Sequence, residues 1–487
     1  MPATRDPTSS LYDLPVPWTE RLQTRLDRRP WWGVGMLYAL PVLLMLAARL
    51  ALVPTVSEAE AVRLLQMRAW AWFYGPEQSP LPLWLGHGLI KLGLSRLAVL
   101  LPEALTLWGV LMLGYAVARL WVSRGHARLA GASLLLLAPL SLAFPAGGVL
   151  ALSASFAILA LVGSAVRTAR RGGWGNAAVL AVSLALCLIG GHGSVLFALV
   201  FLLSLLIDRD LRVERQRYRV PVALGVAGGL VLAGPYLAGA LLSIEGTPLL
   251  LLFPPPEMVE AFPRAVLHGW SVLAERAVLD LAFWAGAAVI LAPVLLRPSR
   301  AIDLWPGLIA QSCAATLILL AVATVLERGP IITHSGPLAC LVLLPILIFT
   351  AMDRLPIAAW RRLAVGTLMA VVALLGPLTL LIEDRFLLPT CATCRADADF
   401  KTLAQHIADL NKGPVSIPDP WLAANLWRHR PDLVAAEGGK ACLRLQTEGA
   451  APPPSGGSTI PLLLPRLRYS GPGIPLTLVP IRRSDCP

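Results

Sequence analysis

Charge is what this 487-residue sequence has least of: 14% of it is Asp, Glu, Lys or Arg, against 56% hydrophobic residues. A soluble chain carries about 25% charge, so these side chains are too few to cover a globular surface. A soluble enzyme and a disordered chain are both excluded. Several catalytic signatures are missing too. There is no P-loop, no GxGxxG after a strand, no GxSxG elbow and no HExxH, which argues against ATP-driven transport and soluble-nucleotide chemistry. The seven cysteines show no metal-ligand spacing: Cys187, Cys313 and Cys340 lie in apolar runs, and Cys391, Cys394, Cys442 and Cys486 in the polar C-terminal stretch. The Cys391-x-x-Cys394 pair has no second CxxC or paired His, so it points to a disulfide or free thiols rather than zinc. No metal or resident cofactor is expected from the residues, and a divalent metal requirement stays open.

What is present is apolar sequence punctuated by arginine. The net charge of +12 sits mostly on arginines set singly or in short groups between long apolar runs, the pattern of a multi-pass membrane protein rather than of a nucleic-acid binder. The runs hold few charges at depth, which argues against an ion channel or proton pump. A helix needs ~20 apolar residues to cross the hydrocarbon. On that rule eleven spans are expected, near 32–54, 98–121, 127–145, 148–166, 174–190, 194–207, 220–242, 277–296, 304–326, 335–352 and 363–382. The short pair at 174–190 and 194–207 is drawn as two helices because both flanks are basic, Arg167, Arg170 and Arg171 before it and Arg209 to Arg219 after it. Two crossings return those flanks to one side.

With eleven spans the arginine-rich connections fall on the side of the N-terminal segment. That segment, 1–31, is polar and basic and carries no cleavable signal pattern, so it is expected in the cytoplasm. The fold class is therefore an all-α polytopic membrane protein of about eleven transmembrane helices. A transmembrane domain covers 32–382 with an outer loop at 55–97, and a small periplasmic α/β C-terminal module covers 383–487. Arginine-rich, lysine-poor usage heavy in Ala and Leu suggests a bacterial inner membrane.

The outer loop holds the densest chemistry. Ser57-Glu58-Ala59-Glu60 follows the first span, then Arg63, Arg68 and an aromatic cluster of Trp70, Trp72, Phe73 and Tyr74, then Gly75-Pro76-Glu77-Gln78-Ser79-Pro80-Leu81-Pro82-Leu83-Trp84. Carboxylates at a membrane surface beside an aromatic helix and a Pro-rich turn suit an enzyme with one lipid and one water-soluble substrate. The alternative is that Glu58 and Glu60 are interfacial charges at a span end.

These residues resemble the first-loop signature of GT-C glycosyltransferases of the protein mannosyltransferase and aminoarabinose transferase type, the family 39-like group. Leu101-Pro102-Glu103-Ala104-Leu105 is similar to that family's Leu-Pro-Ser-Ala-Leu, and Pro418-Asp419-Pro420-Trp421-Leu422-Ala423-Ala424-Asn425-Leu426 to the tail of its bacterial members. The resemblance implies transfer of a sugar from a polyprenyl-phosphate donor to an envelope lipid, polysaccharide or protein, with membrane lipid as a partner and nucleic acid as none. It implies Glu58 and Glu60 as catalytic carboxylates. Tyr74 and Gln78 would line the sugar pocket, and His192, Arg328 and His334 would face the lipid phosphate.

The sequence departs from the family pattern at three places. Ser57 stands where an Asp is usual, Leu100 where a basic residue is usual, and Phe144-Pro145-Ala146-Gly147-Gly148 lacks an expected acid. These departures support a second expectation, a catalytically degenerate GT-C-like protein that binds polyprenyl lipid or scaffolds envelope assembly. A flippase for lipid-linked sugars fits the hydropathy but explains neither the first loop nor the large tail. An odd number of spans puts the two termini on opposite faces. A phosphatase fused after residue 487 should therefore be active outside the cytoplasm, while one fused within 1–31 should be silent; activity of both or neither would refute eleven crossings.

Overall fold

The computed structural model describes residues 30–53, 55–74, 78–137, 140, 149–207, 219–243, 278, 281, 287, 304–327, 337–352, 359–382, 385–386, 395–410, 413–435, 441–447, 460–467 and 473–480. Helix α1 spans Pro30–Leu52 and is followed by two short helices, α2 (Glu58–Gln66) and α3 (Pro80–Lys91). Then come α4 (Leu97–Ala118), α5 (Arg124–Ala132) with a 3-10 turn at Ser133–Leu136, α6 (Val149–Arg171), α7 (Trp174–Ile189), α8 (His192–Ile207) and α9 (Arg219–Ser243). After them lie α10 (Leu304–Glu327), α11 (Leu343–Met352), entered by a 3-10 turn at Pro337–Val342, and α12 (Ala359–Ile382). Five of these helices are long and apolar enough to cross a membrane, and four more described segments are shorter and apolar. The chain is thus a multi-pass helical membrane protein, and apolar helical segments lie where nine of the eleven expected spans were drawn; at 127–145 the described residues hold only the short helix Arg124–Ala132 and a 3-10 turn. The span expected at 277–296 lies outside the described residues apart from three isolated helical positions, 278, 281 and 287.

Burial ranks the long helices. The apolar window of α6 is 72% buried and that of α4 61%, whereas α1, α12 and α9 are 33%, 29% and 22% buried. α6 and α4 therefore form the interior, and the other three turn large apolar side chains outward, among them Leu40 at 67% exposure, Val231 at 75% and Leu363 at 72%. An exposed apolar face on a spanning helix faces lipid. The expected break between the fifth and sixth spans is present: α7 ends at Ile189, and Gly191 takes φ +114°, a conformation that a side chain would strain, before α8 begins.

Between spans the hydrophobic effect is weak, because lipid tails are as apolar as leucine, so close packing of small residues draws helices together. Gly225 and Gly229 of α9 lie four apart on one face, against Leu180 and Leu184 of α7. A Cβ on Gly229 would lie 2.8 Å from Leu184 Cβ and 3.0 Å from the carbonyl oxygen of Ala181.

The chain from 395 onward folds differently. Helices α13 (Phe400–Leu410) and α14 (Pro420–His429) accompany strands β1 (Val415–Ser416), β2 (Leu443–Thr447), β3 (Ile460–Leu464) and β4 (Ile474–Pro480) in a sheet of order β1-β2-β4-β3. β1 pairs parallel with β2, and β4 pairs antiparallel with both β2 and β3. α14 begins where its sequence dictates: the Asp419 side chain accepts from the N–H groups of Trp421 and Leu422, and Pro420 occupies the first turn, where no N–H is needed. Its core is shared with the first loop. Trp421, Phe400, Leu422 and Leu426 belong to the same buried cluster as Ala61, Leu64 and Met67 around α2 and Leu83 of α3. Cys442 is held in a disulfide, a bond that persists in oxidising compartments. Gly229→Leu should force α7 and α9 apart and lower stability by about 1–3 kcal/mol, read as a lower midpoint of thermal unfolding in detergent.

Candidate active site

α2 is a short helix whose start is over-determined. Ser57 is its N-cap: the hydroxyl accepts from the Glu60 N–H, while the Glu60 carboxylate accepts from the Ser57 N–H at 2.6 Å, a reciprocal capping box. The same Glu60 oxygen accepts from Arg49 Nη2 of α1 at 2.6 Å. Arg49 also donates to the carbonyls of Val53 and Thr55. Both members of the pair are nearly fully buried, with side chains 5% and 2% exposed. Arg49 therefore ties the end of the first span to the start of the loop helix. Glu60 was expected beside Glu58 in the catalytic pair, but here it is a packed structural ion.

A second buried pair lies one turn further on. Arg63 donates to the carbonyl of Ala59 and through Nη1 to Glu103 of α4, with side chains 5% and 1% exposed. Arg63 Nη2 and Glu103 Oε2 have no hydrogen-bond partner among the described residues, and neither do Gln66 Oε1 and Ser79 Oγ. Polar atoms left unpaired in a dry site are rare, and these four belong to α2, the start of α3 and α4. The signal was present in the sequence: a carboxylate inside an apolar span needs a partner, and Glu103 stands where the similar motif has Ser.

Glu58 is placed in the opposite manner. It lies in the first turn of α2, where the helix N-terminus favours negative charge, and its side chain is 74% exposed. Its Oε1 pairs with Arg395 Nη1, from just before α13. Arg395 also reaches Asp419 Oδ2 at 3.4 Å and lies 4.8 Å over the Trp421 ring. Asn425 of α14 accepts from the Val56 N–H at 3.0 Å and donates to the Val56 carbonyl, and Thr55 donates to the Arg395 carbonyl. The tail thus grips the backbone on which Glu58 stands. Arg395 and Asn425 were not anticipated, because nothing in their local sequence points to a contact more than 300 residues away.

The other end of the loop is aromatic. Trp70 and Trp84 stack at 5.3 Å and 17°, Trp72 meets both edge-on, and the Trp84 indole donates to the Ala71 carbonyl. Phe73 packs edge-on against Tyr236 of α9. The Tyr74 hydroxyl donates to the Ala69 carbonyl and accepts from the Ala71 N–H, and burial raises it above its usual acidity range. The phenol is committed to holding the loop. Gln78 is half-buried just before α3. His192 opens α8, whereas Arg328 and His334 lie outside the described residues, as does 144–148. Among the described residues no three His, Cys, Asp or Glu side chains come together in a metal-binding group.

Compared with known proteins, this chain matches no family model and no curated sequence. Its fold does have a counterpart among solved structures. ArnT from Cupriavidus metallidurans in the apo state is similar at a TM-score of 0.58 and 15% identity, over 95% of this chain and 99% of that one. ArnT from the same organism bound to undecaprenyl phosphate gives 0.56 and 15%, over 93% and 98%. The chain therefore shares the fold of ArnT.

Two substitutions separate cap from ion pair. Ser57→Asp keeps an equally good cap and should fold as the wild type. Glu60→Gln strands the buried Arg49 and should cost about 3–5 kcal/mol, measured as the difference in unfolding midpoint between the two variants.

Proposed function

We propose that this protein is an integral membrane glycosyltransferase, taking a sugar from a polyprenyl-phosphate donor to an envelope lipid, polysaccharide or protein at the periplasmic face of a bacterial inner membrane. The observation that carries the reading is the division of labour among the first-loop carboxylates. Glu60 is sealed into the fold, while Glu58 is exposed at the helix N-terminus and paired there with Arg395, in a chain that shares the ArnT fold over almost its whole length. The ArnT structure bound to undecaprenyl phosphate supports a lipid-phosphate donor of the same class.

In this reading Glu58 accepts the proton of the acceptor hydroxyl as its oxygen bonds to the anomeric carbon of the sugar. The bond from that carbon to phosphate oxygen breaks, and its electrons leave with polyprenyl phosphate. His192, Arg328 and His334 are the proposed counter-charges for the leaving phosphate. Tyr74 supports the sugar pocket through the loop it holds, and Gln78 contacts the sugar. No soluble nucleotide is needed, and the donor chain enters from the bilayer.

The departure at Ser57 favours a second reading, a degenerate member that binds polyprenyl lipid and transfers nothing. One assay separates the two. Membranes holding wild type or Glu58→Gln at matched levels are given a labelled polyprenyl-phosphate sugar, and transfer and retained donor are both counted. Transfer by the wild type should fall at least about 100-fold in Glu58→Gln. Equal turnover removes Glu58 from the mechanism, and saturable donor binding without transfer by the wild type establishes the second reading.

A further inference from the structure

A groove of about 560 Å³ opens where the last turns of α1 meet the connection between α3 and α4. Ala47, Leu50 and Ala51 form one wall, and Gly93, Leu94 and Arg96 the other. Its shape follows from local sequence. After α3, the Gly93 N–H bonds to the Ile90 carbonyl and the Leu94 N–H to the Leu89 carbonyl, a helix stop that needs the left-handed φ of +78° found at Gly93. That stop turns Leu92 and Leu94 outward, at 74% and 43% exposure, level with the exposed end of α1. Arg96 is fixed at the lip, with Nη2 donating to the Leu50 carbonyl at 2.6 Å, and is otherwise exposed.

Positive charge accumulates there without matching carboxylates. Arg428 of α14 takes part in no hydrogen bond or ion pair among the described residues, and burial together with neighbouring Arg96 and Arg49 lowers its basicity to about 10. The one opposing charge it feels is Glu60, already committed to Arg49 and the Ser57 N–H. Of these three guanidiniums Arg96 lines the groove, while Arg428 and Arg49 lie near enough to act on one another, with Glu60 the one carboxylate acting on Arg428. Neither Glu58 nor Arg395 lines the groove.

We infer that this groove is a binding site for an anionic glycerophospholipid of the bilayer, with the headgroup phosphate on Arg96 and Arg428 and one acyl chain against Ala47, Leu50 and Leu94. A soluble anion would leave the apolar walls in water, and a neutral lipid would leave the guanidiniums without a counter-charge. The site would brace the corner between the first span, the α3–α4 connection and the tail, whether or not the chain transfers sugar.

The test uses the full chain in detergent, titrated with dioleoyl phosphatidylglycerol, dioleoyl phosphatidylcholine or inorganic phosphate, with retained lipid read by native mass spectrometry. Phosphatidylglycerol should bind at least about tenfold more tightly than phosphatidylcholine, since a charge-assisted contact contributes about 1.5–3 kcal/mol, and inorganic phosphate should not compete. Arg96→Gln should weaken binding about tenfold by the same measure, Arg96→Lys should restore part of it, and Ala47→Trp should block the groove with every charge retained. Glu58→Gln should leave lipid binding unchanged, which separates this site from the transfer reaction. Equal affinity for the two lipids in the wild type would overturn the proposal, and that comparison needs no variant to fold. So would competition by inorganic phosphate.

Discussion

Arg49 is a charge at the end of a membrane-spanning helix, and the first loop is built on the way it is neutralised. A guanidinium with no partner at that depth would cost several kcal/mol, and Glu60 supplies the partner by folding back from the next helix. The same carboxylate caps α2 through the Ser57 N–H, so one oxygen fixes both the position and the direction of the loop helix. With α2 fixed, Arg63 is carried to Glu103 on α4, and the loop is bound to a second span. Removing either partner would leave a buried charge unpaired, which gives the corner its rigidity.

Rigidity at this corner has a chemical consequence. A carboxylate on a flexible loop would sample many directions, whereas Glu58 stands two residues before Glu60 on the same capped turn. The tail adds restraint from the far side through Asn425 on the Val56 backbone and Arg395 on the carboxylate itself. The exposed Glu58–Arg395 pair contributes little to stability, about 0–1 kcal/mol. Its effect is on orientation. The core shared by α2, α3 and α14 makes the loop and tail one packed body above the spans.

The residues drawn as a catalytic pair, Glu58 and Glu60, look alike in sequence, two acidic side chains in one short segment. They differ in what covers them. A position two residues on along a helix points about 200° away, so Glu58 faces outward while Glu60 turns under α2 toward Arg49. Ser57, at the position where the similar first-loop motif has Asp, is used as a helix cap, a task at which Ser and Asp are about equally good, so either residue is compatible with the fold of the loop.

The helical plan was legible in the sequence because a bilayer is a severe solvent: an unpaired backbone cannot cross it, so long apolar runs must be helices, and arginine marks where they end. The break at Gly191 and the start of α14 at Asp419-Pro420 were equally local, set by backbone sterics and by a cap. What the sequence left open were the partnerships between distant residues. Arg49 with Glu60, Arg63 with Glu103, Arg395 with Glu58 and Asn425 with Val56 join residues 11, 40, 337 and 369 apart in chain order through their common packing. A buried charge chooses its partner by where packing delivers it. Tertiary structure alone therefore decided which carboxylate is sealed against Arg49 and which stands exposed beside Arg395.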